Sequence, residues 1–118
     1  MRFRIERTST LERDLQSILR FLIRSRMQFG ETFAEAKARA GKRVVEIEDA
    51  MEALTKVPHQ GTLQPKLLPG LRCVTKDRAV FYFIVDEDQR VVRVLAIFFG
   101  GQDHQRLMLR RLSKRDKP

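Results

Sequence analysis

The chain has 118 residues, of which 42% are hydrophobic and 33% are charged, and this length and composition indicate one folded domain rather than a disordered segment. Lysine and arginine number 24 against 15 aspartate and glutamate residues, for a formal net charge of +9, which favours a polyanion or an acidic protein as the partner. The single cysteine, Cys73, excludes an internal disulfide and a thiolate metal cluster.

The amino-terminal third predicts a strand followed by an amphipathic helix. Polar and apolar residues alternate with period two over residues 2–6, as in a half-buried strand. Ser9 and Glu12 have the spacing of a capping box, which predicts that a helix begins there. Apolar residues then recur at intervals of three and four through Ile23. We expect a separate cationic face on this helix, formed by Arg13, Arg20 and Arg24.

The rest of the chain predicts a helical hairpin, a sheet and a terminal helix. Gly30 interrupts the first helix, and a second helical period runs from Phe33 to Leu54. Residues 59–70 are rich in proline and glycine and predict a loop. Three apolar segments then predict an antiparallel meander, to which the first strand adds as an edge: Leu71 to Thr75, Ala79 to Val85, and Val91 to Phe99.

Gly100 and Gly101 end the last strand, and a short helix is predicted from Asp103 to Leu112. The fold class is therefore α+β, with one domain over residues 1–112 and a basic tail over residues 113–118. Neither a secretory leader nor a run of about 18 apolar residues occurs, so we expect a cytoplasmic location.

The sequence does not show the arrangements of side chains on which most enzyme chemistry depends. Cys73 lies in a predicted strand, and the two histidines have no neighbouring nucleophile that suggests a hydrolase triad. Asp103 and His104 are a weak pair for a metal, and no glycine-rich phosphate loop is present, so we expect neither a metal nor a cofactor. The simplest interpretation of His104 is a residue at a helix start, hydrogen-bonded locally to Asp103.

Basic residues cluster near the first turn of the meander and in the terminal helix. A metal-free ribonuclease could use such a cluster, because arginine stabilises charge on phosphate and histidine moves protons. For that alternative, the candidate residues are Arg72, Arg78 and His104. Tyr82 lies in an apolar strand, where a packed aromatic with a satisfied hydroxyl is the expected state.

Three segments of the sequence together resemble the RelE/ParE toxin superfamily. They are Leu68-Pro69-Gly70-Leu71-Arg72, Arg78-Ala79-Val80-Phe81-Tyr82, and Arg93-Val94-Leu95-Ala96-Ile97-Phe98-Phe99-Gly100-Gly101-Gln102-Asp103. The resemblance covers nearly the whole chain. It implies the toxin component of a type II toxin–antitoxin system, active in growth inhibition and plasmid stabilisation.

The superfamily contains two activities, and the resemblance bears on both. RelE-like members cleave mRNA at the ribosome, and Arg78 matches an arginine that they use. Their second arginine is Gln102 here, and Leu107, Met108 and Leu109 occupy most of the helix in which they place a tyrosine or histidine.

ParE-like members poison DNA gyrase and have a longer helical hairpin, to which the long second helix is similar. The resemblance therefore favours a gyrase inhibitor that is not an enzyme, with the mRNA endonuclease as the alternative. We expect a hetero-oligomer with a cognate antitoxin that binds at Arg13, Arg20 and Arg24. The residues expected to contact the target are Arg106, Arg110, Arg111, Lys114 and Arg115.

Overall fold

The computed structural model describes residues 2–115, and these form an α+β fold. Strand β1 (Arg4–Arg7) is followed by helices α1 (Leu11–Gln28) and α2 (Phe33–Glu52), and a single 3-10 turn (Ala53–Lys56) extends α2. Strands β2 (Thr62–Leu63), β3 (Leu71–Lys76), β4 (Ala79–Asp86) and β5 (Val91–Phe99) come next, before helix α3 (His104–Arg115). The predicted strand, helical hairpin, meander and terminal helix are all confirmed.

The strands form one five-stranded sheet in the order β1-β5-β4-β3-β2. Strands β2 to β5 pair antiparallel, whereas β1 lies parallel to β5 at the edge of the sheet. The expected addition of the first strand to the meander is therefore confirmed. Strand β2 was not predicted, because its two residues, Thr62 and Leu63, lie in a segment whose prolines and glycines indicate a loop.

Helices cover both faces of the sheet, which explains why β4 and β5 are almost continuously apolar. On one face, α1 and α2 pack against the sheet through residues that include Leu15, Ile47 and Phe81. On the opposite face, Met108 and Leu112 of α3 pack against Tyr82 and other strand residues. No helix in residues 2–115 is long and apolar enough to cross a membrane.

The capping box predicted at Ser9 and Glu12 is wrong. Helix α1 begins after Thr10, whose backbone is already helical, and no side chain caps it. A complete capping box instead begins α2, where Thr32 and Glu35 exchange side-chain and backbone hydrogen bonds. Thr32 has the extended backbone that a cap requires, which is the physical difference between the two sites.

Helix α3 extends to Arg115, three residues further than the predicted end at Leu112. The start of the expected basic tail is therefore helical. Residues 116–118, the remainder of that tail, lie outside the described part of the chain.

Candidate functional site

A buried ion pair between Asp14 and Arg111 joins α1 to α3. Asp14 of α1 is only 8% exposed, and its two oxygens accept hydrogen bonds from the guanidinium of Arg111 at 2.7 and 2.8 Å. The same carboxylate accepts a hydrogen bond from the backbone N–H of Ile97 in β5, at 3.0 Å. A buried carboxylate needs such compensation, so Asp14 connects three elements of the fold.

The other contacts of Arg111 are also within the protein. Its guanidinium carbon lies 5.4 Å from the centre of the Phe98 ring, and one nitrogen donates to the carbonyl of Leu95 at 3.3 Å. Leu95 is the extra residue of a β-bulge, because the residues on either side of it pair with Tyr82 and Phe83. Arg111 therefore holds α3 on the sheet.

Two adjoining hollows, which we call the α1–α3 cleft, lie between these helices above the end of β5. They have volumes of about 520 and 420 Å³ and share Asp14, Phe98, Leu107 and Arg111. The larger hollow has an apolar floor that includes Ile18, Phe21 and Phe99. The smaller one has basic side chains from both helices on its rim, namely Arg13, Arg110 and Lys114.

Three basic residues of α3 form an exposed stripe. Arg106, Arg110 and Lys114 follow one another at intervals of four, which places them on one side of the helix. Within residues 2–115 none of them forms an ion pair, whereas Arg111, the fourth member of the predicted target-binding set with a described side chain, pairs with Asp14. Arg115 ends α3, and its side chain lies outside the described part of the chain.

The arginines predicted on the cationic face of α1 are all exposed, but they border two different hollows. Arg13 lines the α1–α3 cleft. Arg20 and Arg24 line a separate hollow near the turn of the helical hairpin, together with Phe33 of α2. Arg13 is thus brought together with the basic residues of α3, a proximity that could not be seen in the sequence.

The candidate nuclease residues are placed on different faces of the sheet. Arg72 donates a hydrogen bond to the carbonyl of His59 at 2.8 Å. Its neighbour Cys73 packs in the cluster beneath α3, and successive residues of a strand point to opposite faces. Arg72 therefore points away from His104, which begins α3, and the structure does not bring these two side chains together.

Arg78 lies in the two-residue turn between β3 and β4, at the end of the sheet. Its φ of 70° and that of Asp77, 47°, are both positive, a conformation that favours glycine at such turns. The guanidinium of Arg78 stands over the Phe99 ring, 5.3 Å from its centre, and Arg43 of α2 stands 5.4 Å from the same ring. Phe99 belongs to the core on the α1–α2 side, whereas Tyr82, which contacts His104, packs on the α3 side.

His104 makes a side-chain contact that the sequence did not predict. Its Nδ1 atom lies 2.7 Å from the hydroxyl of Tyr82, so the expected local pairing of His104 with Asp103 is wrong. The Asp103 carboxylate instead accepts from the backbone N–H of Arg106, as a cap of α3.

The hydroxyl of Tyr82 remains protonated at neutral pH. Burial raises the pKa of Tyr82 well above its ordinary value, and the nearby Cys73 raises it further. Burial also raises the pKa of the Cys73 thiol. The Tyr82 hydroxyl and Nδ1 of His104 share this hydrogen bond, which orients the His104 ring, and the satisfied hydroxyl expected of Tyr82 is confirmed.

The sequence carried one unused signal for this site. Asp14 falls on the apolar stripe of α1, between the buried residues Leu11, Leu15 and Ile18. A carboxylate on such a stripe indicates either a buried partner or a break in the core. Its partner, Arg111, is 97 residues away in sequence, which no local pattern could identify.

No protein-family model and no curated protein matches the sequence. Among solved structures, a chain of the chromosomal ParDE TA system from P. aeruginosa is similar, with a TM-score of 0.62 and 21% identity over 82% of this chain and 95% of that chain. A chain of the toxin–antitoxin complex RelBE2 from Mycobacterium tuberculosis has a TM-score of 0.52 and 14% identity, over 85% of this chain and 100% of that one. These likenesses establish the fold, which is the RelE/ParE-like fold that the sequence resemblance implied.

Proposed function

We propose that the chain is the toxin of a type II toxin–antitoxin system, that a cognate antitoxin neutralises it, and that its target is DNA gyrase. The fold supports the first part, because the similar solved structures belong to a ParDE system and to a RelBE2 toxin–antitoxin complex. Fold alone does not carry an activity, so the choice of target rests on the surface of the chain.

The observation that carries the choice is the basic stripe of α3, formed by Arg106, Arg110 and Lys114. Like charges at intervals of four destabilise a helix slightly, so the stripe is not explained by the stability of α3. With no ion pair among the described residues to neutralise it, the stripe is available to a large acidic or polyanionic target. A gyrase–DNA complex is such a target.

A test of this proposal compares the purified chain with a charge-reversal variant in gyrase supercoiling and DNA-cleavage assays. We expect wild-type protein to inhibit supercoiling and to accumulate cleaved DNA. Arg110→Glu combined with Lys114→Glu should raise the inhibitory concentration at least about tenfold, because the surface then repels the target. Both side chains are exposed, so the variant should fold normally.

A matched control changes the net charge equally at another exposed site. Lys42→Glu with Lys56→Glu alters two exposed lysines of the α2 region and should leave inhibition within about twofold of wild type, because charges on other surfaces contribute little to a short-range contact. Equal loss of inhibition in both variants would mean that net charge, rather than the α3 stripe, governs the effect. No inhibition by wild-type protein would contradict gyrase as the target.

One observation favours the alternative, a ribosome-dependent mRNA endonuclease that needs no metal. The Tyr82 hydroxyl fixes the ring of His104 through Nδ1, which is how a histidine is oriented when its other nitrogen transfers a proton. The same protein preparation is therefore assayed for mRNA cleavage on ribosomes. Cleavage that is lost in His104→Ala and in Arg78→Ala, with gyrase unaffected, would replace the gyrase proposal by this one.

A further inference from the structure

The α1–α3 cleft has one aromatic end and one basic end. At the aromatic end, Phe21 of α1 is 48% exposed and packs edge to face against the buried ring of Phe99, with 6.3 Å between the ring centres. Both rings line the larger hollow. At the basic end, the rim of the smaller hollow carries Arg13, Arg110 and Lys114. A ligand that fills the cleft therefore needs a flat or apolar part and an anionic part.

The charges of the cleft favour a ligand with several negative charges. Among the described residues that line it, the only carboxylate is Asp14, which is already paired with Arg111. Arg13, Arg110 and Lys114 form no ion pair within residues 2–115. Cations that share a rim without free carboxylates attract a polyanion, and the net charge of +9 on the whole chain adds to that attraction.

The length of the cleft suits a strand rather than a single charged group. Arg13 and Phe21 are eight residues apart on α1, which corresponds to about 12 Å along the helix axis. Gln102, before α3, borders the aromatic end, and Lys114, near the end of α3, borders the basic end. Proteins that bind single-stranded nucleic acid combine a basic groove for the phosphates with aromatic side chains on which bases stack. The cleft has both features.

The junction of the two hollows favours deoxyribose over ribose. The hollows share Asp14, Phe98, Leu107 and Arg111. Two of these residues are apolar, and the other two already bind each other. A sugar that lies between the aromatic end and the basic end finds no free polar partner among them. A ribose 2′-hydroxyl buried there without a hydrogen bond would cost free energy, whereas deoxyribose has no such group.

We propose that the α1–α3 cleft binds an unpaired segment of DNA, with a base stacked on Phe21 and phosphates bound by Arg13, Arg110 and Lys114. A double helix cannot bind in this way, because its bases are stacked on one another and paired. The inference deepens the proposed function and rests on it only for the source of the strand, which would be the DNA held by gyrase. In that complex the α3 stripe would contact DNA rather than protein.

The experiment measures binding of labelled oligonucleotides to the whole chain by fluorescence anisotropy, without gyrase or ribosomes. The first probe is a single-stranded DNA of about eight nucleotides, within the usual site size of such proteins. Three further probes of the same length are its duplex, an abasic strand with the same number of phosphates, and RNA of the same sequence. We expect the single-stranded DNA to bind at least about fivefold more tightly than each of the others.

Variants of Phe21 test the stacking contact. Phe21→Ala should weaken binding of the DNA strand about tenfold, because one base loses its aromatic partner, whereas Phe21→Tyr keeps the ring and should stay within about twofold of wild type. If circular dichroism shows that Phe21→Ala does not fold, Phe21→Leu replaces it, since leucine keeps apolar packing against Phe99 without a flat ring. The matched control, Phe33→Ala, removes an aromatic of similar exposure, 56% against 48%, outside the cleft. It should change binding by less than about twofold.

A second pair of variants tests the phosphate contacts. Arg13→Gln should reduce the slope of log affinity against log salt concentration by about 0.7, because one contact with a single-stranded phosphate is lost. The control is Arg20→Gln, which removes another exposed arginine of α1 that lines a different hollow. That variant should leave the slope as it is in wild type.

Three results would overturn the inference. The first is equal binding of the intact and abasic strands, which would reduce the site to a surface for phosphate alone. The second is duplex DNA or RNA that binds as tightly as the single-stranded DNA. The third is binding that survives the loss of the Phe21 ring. Because gyrase is absent from these measurements, a failure to inhibit gyrase would leave the DNA site standing, and a failure to bind DNA would leave the gyrase proposal standing.

Discussion

Replacing Arg111 by methionine should destabilise the protein through the charge that it leaves behind. Methionine retains much of the apolar contact with Phe98 but removes the partner of the Asp14 carboxylate. Asp14 is only 8% exposed, so water cannot replace that partner. Breaking a buried ion pair from one side costs about 3–5 kcal/mol. The Arg111 side chain is 25% exposed, so water screens part of the interaction and we expect the lower end, about 3 kcal/mol.

The free energy of unfolding is measured by urea denaturation, and the melting temperature by circular dichroism. For a domain of this length, a loss of about 3 kcal/mol corresponds to a decrease of roughly 12 °C. The control is Arg110→Met, at the neighbouring exposed arginine outside the ion pair, which should stay within about 0.5 kcal/mol of wild type.

A double-mutant cycle separates the ion pair from other effects of the substitution. Asp14→Asn keeps an oxygen that can accept from the N–H of Ile97 but removes the charge. Combined with Arg111→Met, it should restore at least about 1 kcal/mol, since no unpaired carboxylate remains. Strictly additive effects, or a single Arg111→Met variant as stable as wild type, would refute the view that this ion pair holds α3 in place.

Substitutions test three other interactions one at a time. Tyr82→Phe removes the hydroxyl that binds His104 and should cost about 1 kcal/mol in urea denaturation. Thr32→Ala removes the cap of α2 and should also cost about 1 kcal/mol, whereas Thr32→Ser should be close to neutral. The hydrogen bond from Arg93 lowers the pKa of Glu6 below its ordinary value of 4.5. The stability from that pairing is therefore present above this pH and is lost as the pH falls through the lowered pKa. Glu6→Gln should decrease the melting temperature at neutral pH, and the difference from wild type should disappear as the pH falls through the lowered pKa of Glu6.

Periodicity in the sequence was enough to predict the elements but not the way in which their polar residues pair. The alternation near Ile5 and the apolar stripe of α1 predict a strand and a helix, because burial of one face imposes a fixed repeat. The capping box was assigned to the wrong helix, because Ser9-x-x-Glu12 and Thr32-x-x-Glu35 match the same sequence pattern. The two segments differ in backbone conformation.

The candidate site depends on contacts that are distant in sequence. Arg110 and Arg111 are neighbouring arginines that the sequence does not distinguish, yet it is Arg111 whose guanidinium contacts the Asp14 carboxylate. The separation of Arg72 from His104 depends similarly on which face of β3 Arg72 occupies, and this is fixed by strand register rather than by composition. The exposure of Phe29 and Phe33 could not be predicted, because an apolar residue at a helix end often packs against another apolar side chain.

The parallel pairing of β1 with β5 has a consequence for how the protein folds. Glu6 of β1 and its partner Arg93 are 87 residues apart in sequence, whereas the α1–α2 hairpin consists of neighbouring segments. Contacts of low sequence separation form in microseconds, and pairing of distant strands is slower because a long loop must first be closed. The helical hairpin should therefore form before the sheet is complete. Its apolar face is then exposed to solvent until β5 packs against it. Substitutions in β1 should then alter the unfolding rate more than the rate at which the hairpin first assembles.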